Sequence, residues 1–238
     1  METDLIKLHR AAEETAPDAR LEERDAALAR LQLTDKHVVC DVPAWGGYFS
    51  RGVVNPARVI CLDPTPAIVN CPGAKVIGSG PLEHSLRTAS VDRLVSLVGL
   101  HHHPRPQMYV KESFRVLRST GVAVFSEVLA ASPVAVFLNE DVDRYAQRGH
   151  KGIFLPVGGL ASLLTTAGFQ SVVEEVVNLK WRFDNTLQMT RFVMRLFAMV
   201  KATDMQVQTA LEKCFTITNE GGKVCLPWPL VYGVGVKP

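Results

Sequence analysis

The chain has 238 residues, 47% hydrophobic, 21% charged and 7% aromatic, close to the average of a globular domain and long enough to bury a sizeable core. Lys and Arg number 26 against 24 Asp and Glu, a formal charge of +2, and so small an excess excludes a dedicated nucleic-acid footprint. No apolar run reaches the roughly 18 residues that a bilayer span needs, and the charged start METDLIKLHRAAEETAPDARLEERD reads as helix rather than signal peptide.

Leu5, Ile6, Leu8, Ala11 and Ala12 form one apolar face of a first helix before Pro17. Leu21, Ala27, Leu28 and Leu31 repeat at helical spacing in a second, from Ala19 to Leu33. The period then changes. His37 to Val42 is a short β-branched run followed by the turn Pro43-Ala-Trp-Gly-Gly47, and Arg58 to Asp63 is a second run ending in an acidic residue. Lys75 to Gly78, Val91 to Leu97 and Gly121 to Glu127 are three more. Such short, continuously apolar strands fit a parallel sheet covered on both faces. Tyr109, Val110, Phe114 and Leu117 stripe a helix between the last two strands.

Farther on, Pro156 to Ala167 is expected to be a helix stopped by Gly168 in a left-handed cap. Gln170 to Phe183 is expected to be one strand, Asp184 to cap a helix from Thr186 to Lys201, and Thr203 to start another reaching Phe215. Lys223 to Lys237 holds a closing strand. The fold class expected is α/β: a doubly wound Rossmann-like sheet with N-terminal helices and a helical insertion before the last strand. A single domain accommodates it, with helices over 1–34, core over 35–183, insertion over 184–216 and closing strand over 217–238. Five cysteines, an odd number without C-x-x-C spacing, predict reduced thiols in a cytoplasmic setting, with no disulfide framework and no zinc knuckle.

In a doubly wound sheet, ligands bind outside the carboxyl ends of the strands. There the ordered segments Val38 to Tyr48, Val59 to Asp63, Ser90 to His102, Phe114 to Gly121 and Leu163 to Phe169 resemble the motifs of class I S-adenosylmethionine-dependent methyltransferases, of the small-molecule, type 11-like group. The resemblance implies S-adenosylmethionine as cofactor and a small-molecule acceptor. It implies a donor site built from Asp41, Pro43, Ala44, Trp45, Gly46, Gly47, Asp63, Ser79 and Leu100, with Asp63 on the ribose hydroxyls. Glycines in such a turn let backbone approach a ligand, and a carboxylate accepts both ribose hydroxyl hydrogens. The glycine motif is degenerate: Pro43, Trp45 and Gly47 stand at the family's three glycine positions. The third strand ends Gly78-Ser79-Gly80 where the family often has an acidic residue. The indole of Trp45 either fills the path of the donor's methionine arm or walls it, and the company of Asp41, Gly46, Gly47 and Asp63 favours a wall.

His101 and His102 are the candidate catalytic bases, since imidazole titrates near neutrality; ordering of the loop is the competing role for each. A metal site at His101-His102-His103 is not expected, because consecutive side chains on an extended segment point to opposite sides. Trp181, Phe183, Met189, Phe192, Met194, Phe197 and Met199 read mainly as core, with some left to line an apolar acceptor pocket beneath the insertion. Asn139 to His150 reads as a solvated surface or lid. The predicted function is methyl transfer to a small molecule, with no nucleic-acid or membrane partner and room for a homodimer. The competing function is a methyltransferase-fold protein without methyl transfer, acting as a ligand binder, partner subunit or cofactor-independent enzyme. A nicotinamide dehydrogenase is more distant, for the chain has no Tyr-x-x-x-Lys pair.

Overall fold

A computed structural model of the chain describes residues 2–55, 58–80 and 82–238. Its helices are α1 (Glu2–Thr15), α2 (Leu21–Leu31), α3 (Pro106–Val116), α4 (Pro133–Phe137), α5 (Asp143–Tyr145), α6 (Gly159–Thr166), α7 (Thr186–Leu196) and α8 (Asp204–Cys214). The strands are β1 (Val39–Asp41), β2 (Val59–Asp63), β3 (Lys75–Gly78), β4 (Val91–Leu97), β5 (Leu117–Glu127), β6 (Gln170–Val177), β7 (Lys180–Phe183), β8 (Thr218–Glu220), β9 (Lys223–Pro227) and β10 (Leu230–Val236). The chain divides into two compact units, one of Arg24–Glu127, Leu155–Val177 and Val231–Pro238, the other of Met1–Glu23, Val128–Phe154 and Asn178–Leu230. No described helix is long and apolar enough to cross a membrane.

The first unit holds a seven-stranded sheet in the order β3-β2-β1-β4-β5-β10-β6. β1 runs parallel to β2 and β4, β2 to β3 and β4 to β5, while β10 runs antiparallel to β5. This is the expected doubly wound Rossmann-like sheet. Its central strands are mostly apolar and mostly buried, as the apolar runs implied, with Asp92 and Arg93 of β4 half-buried. α3 buries Tyr109, Val110, Ser113 and Val116. Gly168 takes the left-handed φ of 102° expected of it after α6.

Two connections depart from the expectation. Among the described residues between β1 and β2, short 3-10 turns form at Trp45–Gly47 and Ser50–Gly52, where Gly46, Gly47 and Gly52 disfavour a longer helix. Between β2 and β3 the chain forms a 3-10 turn at Pro66–Ile68, in a segment carrying Pro64, Pro66 and Pro72. The strand–helix–strand unit inferred from the spacing of Asp41 and Asp63 is therefore a strand–turn–strand unit.

In the second unit β7, β9 and β8 form an antiparallel sheet. The single strand expected over Gln170–Phe183 is thus two, β6 and β7, in different sheets. The rings of Trp181 and Trp228 stack at 4.0 Å. Met189 and Phe192 are buried in α7 as the helical spacing implied, while Phe183 is buried in the strand β7 and Met199 beyond the end of α7. Glu23, itself buried, takes a two-point bond from Arg20, whose guanidinium lies over Trp181 at 5.3 Å. Asn185 rather than Asp184 caps α7, its side chain accepting from the Gln188 amide; Asp184 instead accepts from Lys223. Thr203 caps α8 in a capping box with Gln206. Asn139 to His150 is not plain surface: Leu138–Val142 is a π-helical turn, and Asp141, Val142 and Ala146 are buried. Leu8, Ala11 and Ala12 lie in α1, Ala12 fully buried, while the side chains of Leu5 and Ile6 lie outside the described residues.

Candidate active site

Asp41 ends β1 and Asp63 ends β2, and the two strands are neighbours. Asp41 is buried and accepts the Ser50 hydroxyl at 2.6 Å. Burial pushes its carboxyl up to about 7, and the Ser50 bond pulls against that rise. Asp63, 2% exposed, accepts the Trp45 amide on Oδ2 at 3.0 Å and the Thr65 amide on Oδ1 at 2.8 Å. Burial raises its pKa as well, opposed by those two bonds.

The loop between these carboxylates turns through three residues of positive φ, Trp45 (42°), Gly46 (77°) and Gly47 (83°). Glycine is needed at the third, where a Cβ would come within 3.1 Å of the Cys71 Cβ and 3.2 Å of the Asn70 carbonyl. The Ala44 amide donates to the Leu62 carbonyl, and the Asn70 amide to that of Gly46. Pro43, after a cis peptide bond, packs where a Cβ on Gly99 would sit, 2.7 Å from its Cδ. Tyr109, buried in α3, donates to the Val42 carbonyl at 2.6 Å and lies 2.8 Å from Ser96 Oγ. The indole of Trp45 crosses from the end of β1 toward β4, where its Nε1–H donates to the Leu97 carbonyl at 2.9 Å.

Leu100–His102 forms a 3-10 turn after β4, so the histidines do not alternate as on an extended segment. The rings of His101 and His102 lie 4.0 Å apart. His101 is buried with its Nδ1 2.7 Å from Glu127 Oε2, while Glu127 Oε1 accepts the Leu100 amide at 2.5 Å. His102 is exposed and meets Trp45 edge-on at 5.5 Å. Ser79 turns inward to its own loop, donating to the Glu83 carbonyl and accepting from the Ser85 amide; its amide donates to the Asp63 carbonyl.

Of the residues expected at the site, Asp41, Pro43, Ala44, Trp45, Gly46, Gly47 and Asp63 share one loop system. Leu100, His101 and His102 share one turn. Ser50, Tyr109 and Glu127 were missed; for Glu127 the signal was available, an acidic residue closing the apolar strand Val122-Ala-Val-Phe-Ser.

Residues 41–125 match the family model described as a methyltransferase domain. No curated protein sequence matches the chain. Among solved structures, a SAM-dependent methyltransferase from Thermotoga maritima aligns over 100% of both chains at 16% identity and a TM-score of 0.62. The YcgJ protein from Bacillus subtilis aligns over 91% of this chain and 98% of its own, at 16% identity and 0.63. The [4+2]-cyclase SpnF aligns over 91% and 81%, at 15% identity and 0.57. The resemblance read from the strand ends is borne out to this extent: a methyltransferase-domain model matches residues 41–125, and the solved structures share the fold.

Proposed function

We propose that the protein binds S-adenosylmethionine across the carboxyl ends of β1, β2 and β4 and directs its methyl group to a small-molecule acceptor. The observation that carries this reading is the pairing of a glycine turn with a strand-end carboxylate, Trp45 N–H to Asp63 Oδ2 at 3.0 Å. The residues fit the nucleoside half of the cofactor. Each Asp63 oxygen accepts one amide and has a second lone pair for a ribose hydroxyl. The cofactor supplies an electrophilic methyl group. The chain's own part is to hold donor and acceptor in line, with His101 or His102 taking the acceptor's proton. The free thiols of the described cysteines suit the cytoplasmic setting proposed for it, and a homodimer is compatible with it.

Calorimetry with S-adenosylmethionine and S-adenosylhomocysteine tests the reading. A ligand at 100 times its Kd adds about 2.7 kcal/mol of apparent stability. The Trp45 indole bonded to Leu97 and the shielding of Asp63 favour a second reading, a methyltransferase fold that does not transfer methyl. Absence of heat and of any melting shift with both ligands would establish that one instead.

A further inference from the structure

The sheet order β3-β2-β1-β4-β5 places the topological switch point between β1 and β4, and the crevice outside that point is where such sheets bind ligands. Trp45 lies across it. Its backbone amide occupies Asp63 Oδ2 at 3.0 Å, and its indole N–H occupies the Leu97 carbonyl at 2.9 Å. One residue thus covers the acidic end of β2 and the carbonyl end of β4. Its φ of 42° lies in the left-handed region that a β-carbon disfavours, so the conformation that lays the indole across the crevice is itself intrinsically disfavoured.

The surroundings of the indole are held from both sides. Behind it, Pro43 is backed by Gly99 at a distance that leaves no room for a methyl group, and Val42 is tied to α3 by Tyr109. Ahead of it, the Gly46 carbonyl accepts both the Asn70 amide and the Arg51 guanidinium. The indole itself has two polar or ring contacts among the described residues. One is the bond to Leu97; the other is the edge contact with the exposed ring of His102. These two contacts are what must break for the indole to move.

We propose that Trp45 is a displaceable plug and the residue that sets ligand selectivity at this crevice. A nucleoside ligand carrying an extended arm at its 5′ position enters only when the Nε1–H bond to Leu97 opens and the indole leaves the switch point. The ligand class rests on the methyl-donor reading given above; the obstruction rests on the hydrogen bonds and topology alone. The closed arrangement is the binding-incompetent state, and apparent affinity is lowered by the fraction of molecules that hold it.

The test uses the full chain with S-adenosylhomocysteine and adenosine as probes, the second lacking the amino-acid arm. Trp45→Ala is expected to tighten S-adenosylhomocysteine at least tenfold and adenosine less. Trp45→Phe keeps a ring but removes the donor, and is expected to tighten S-adenosylhomocysteine about fivefold, the equivalent of one neutral hydrogen bond; it stands in if the alanine variant does not fold. The chain has three tryptophans, and Trp181 and Trp228 are buried in the other unit. A change in wild-type tryptophan emission on saturation, lost in Trp45→Phe, therefore reports the indole leaving. Weaker binding of S-adenosylhomocysteine in both variants would overturn the plug and make the indole a wall of a working site. No binding of either probe by any folded variant would instead overturn the methyl-donor reading and the ligand class with it.

Discussion

His101 Nδ1 lies 2.7 Å from Glu127 Oε2, with both side chains buried at the carboxyl ends of adjacent parallel strands. An ionised carboxylate only accepts, so Nδ1 carries a hydrogen, and in the neutral ring Nε2 is then the acceptor. The other oxygen of Glu127 takes the Leu100 amide, and one side chain thereby fixes both the turn and the tautomer. Glu127→Gln weakens a charge-assisted pair inside the protein, at a cost of about 1.5–3 kcal/mol. Urea unfolding should show that loss. Nitrogen NMR of the imidazole should show a single Nδ1–H tautomer in the wild type and a mixture in the variant. An unchanged tautomer would remove Glu127 from any role in positioning the base.

Asp63→Ala acts on two properties at once. It orphans the amides of Trp45 and Thr65, which costs about 1–3 kcal/mol, and it removes the acceptor proposed for the ribose. Affinity for S-adenosylhomocysteine should fall roughly ten- to hundredfold, the worth of a charge-assisted bond, while circular dichroism keeps its folded form. A variant that is destabilised yet binds as before would show that Asp63 only closes the loop.

The sheet was legible because its signal is local. Val91–Leu97, anchored by Val91, Leu94, Val95 and Leu97, became β4 as bounded, and the acidic ends of β1 and β2 marked the side where a site would form. The connections were less legible. The spacing of Asp41 and Asp63 admits a helix, but Gly46, Gly47 and Gly52 within it were decisive, and 3-10 turns resulted. The break between β6 and β7 at Asn178-Leu179 carries no Gly or Pro, and it depends on which partners the two halves find, β10 for one and β9 for the other. The pairing of His101 with Glu127 joins residues 26 apart, beyond the reach of any local pattern. The direction taken by the Trp45 side chain depends on a carbonyl in another strand.

Gly99→Ala tests how firmly the loop is seated. The added methyl would lie 2.7 Å from Pro43 Cδ and 3.1 Å from Ser96 Oγ. Gly99 has an ordinary φ of −104°, so the effect is one of space alone. Overpacking of this kind typically costs about 1–3 kcal/mol. Pro43 must move, and the Val42 carbonyl bonded to Tyr109 with it. A melting temperature within a degree of the wild type would mean that the loop is loose enough to absorb the group.

Asp41 should give the protein a pH-dependent stability of defined sign. Its carboxyl titrates at about 7 when folded against 3.8 unperturbed, so between those values the folded state holds a proton that the unfolded chain has released. The contribution is complete below about pH 4 and is lost as pH rises through 7, at up to about 1.4 kcal/mol per unit. Asp63, raised for the same reason, has the same sign. His84, which burial lowers to about 4, has the opposite one, losing stability as pH falls from 6.5 toward 4. The variant Asp41→Asn separates them, because it leaves His84 and Asp63 in place and can still accept from Ser50. Unfolding free energies at pH 5 and pH 8 should fall in the wild type relative to the variant as pH rises. Parallel values for the two proteins would mean that Asp41 is already ionised at pH 5, with the Ser50 hydroxyl enough to hold its charge.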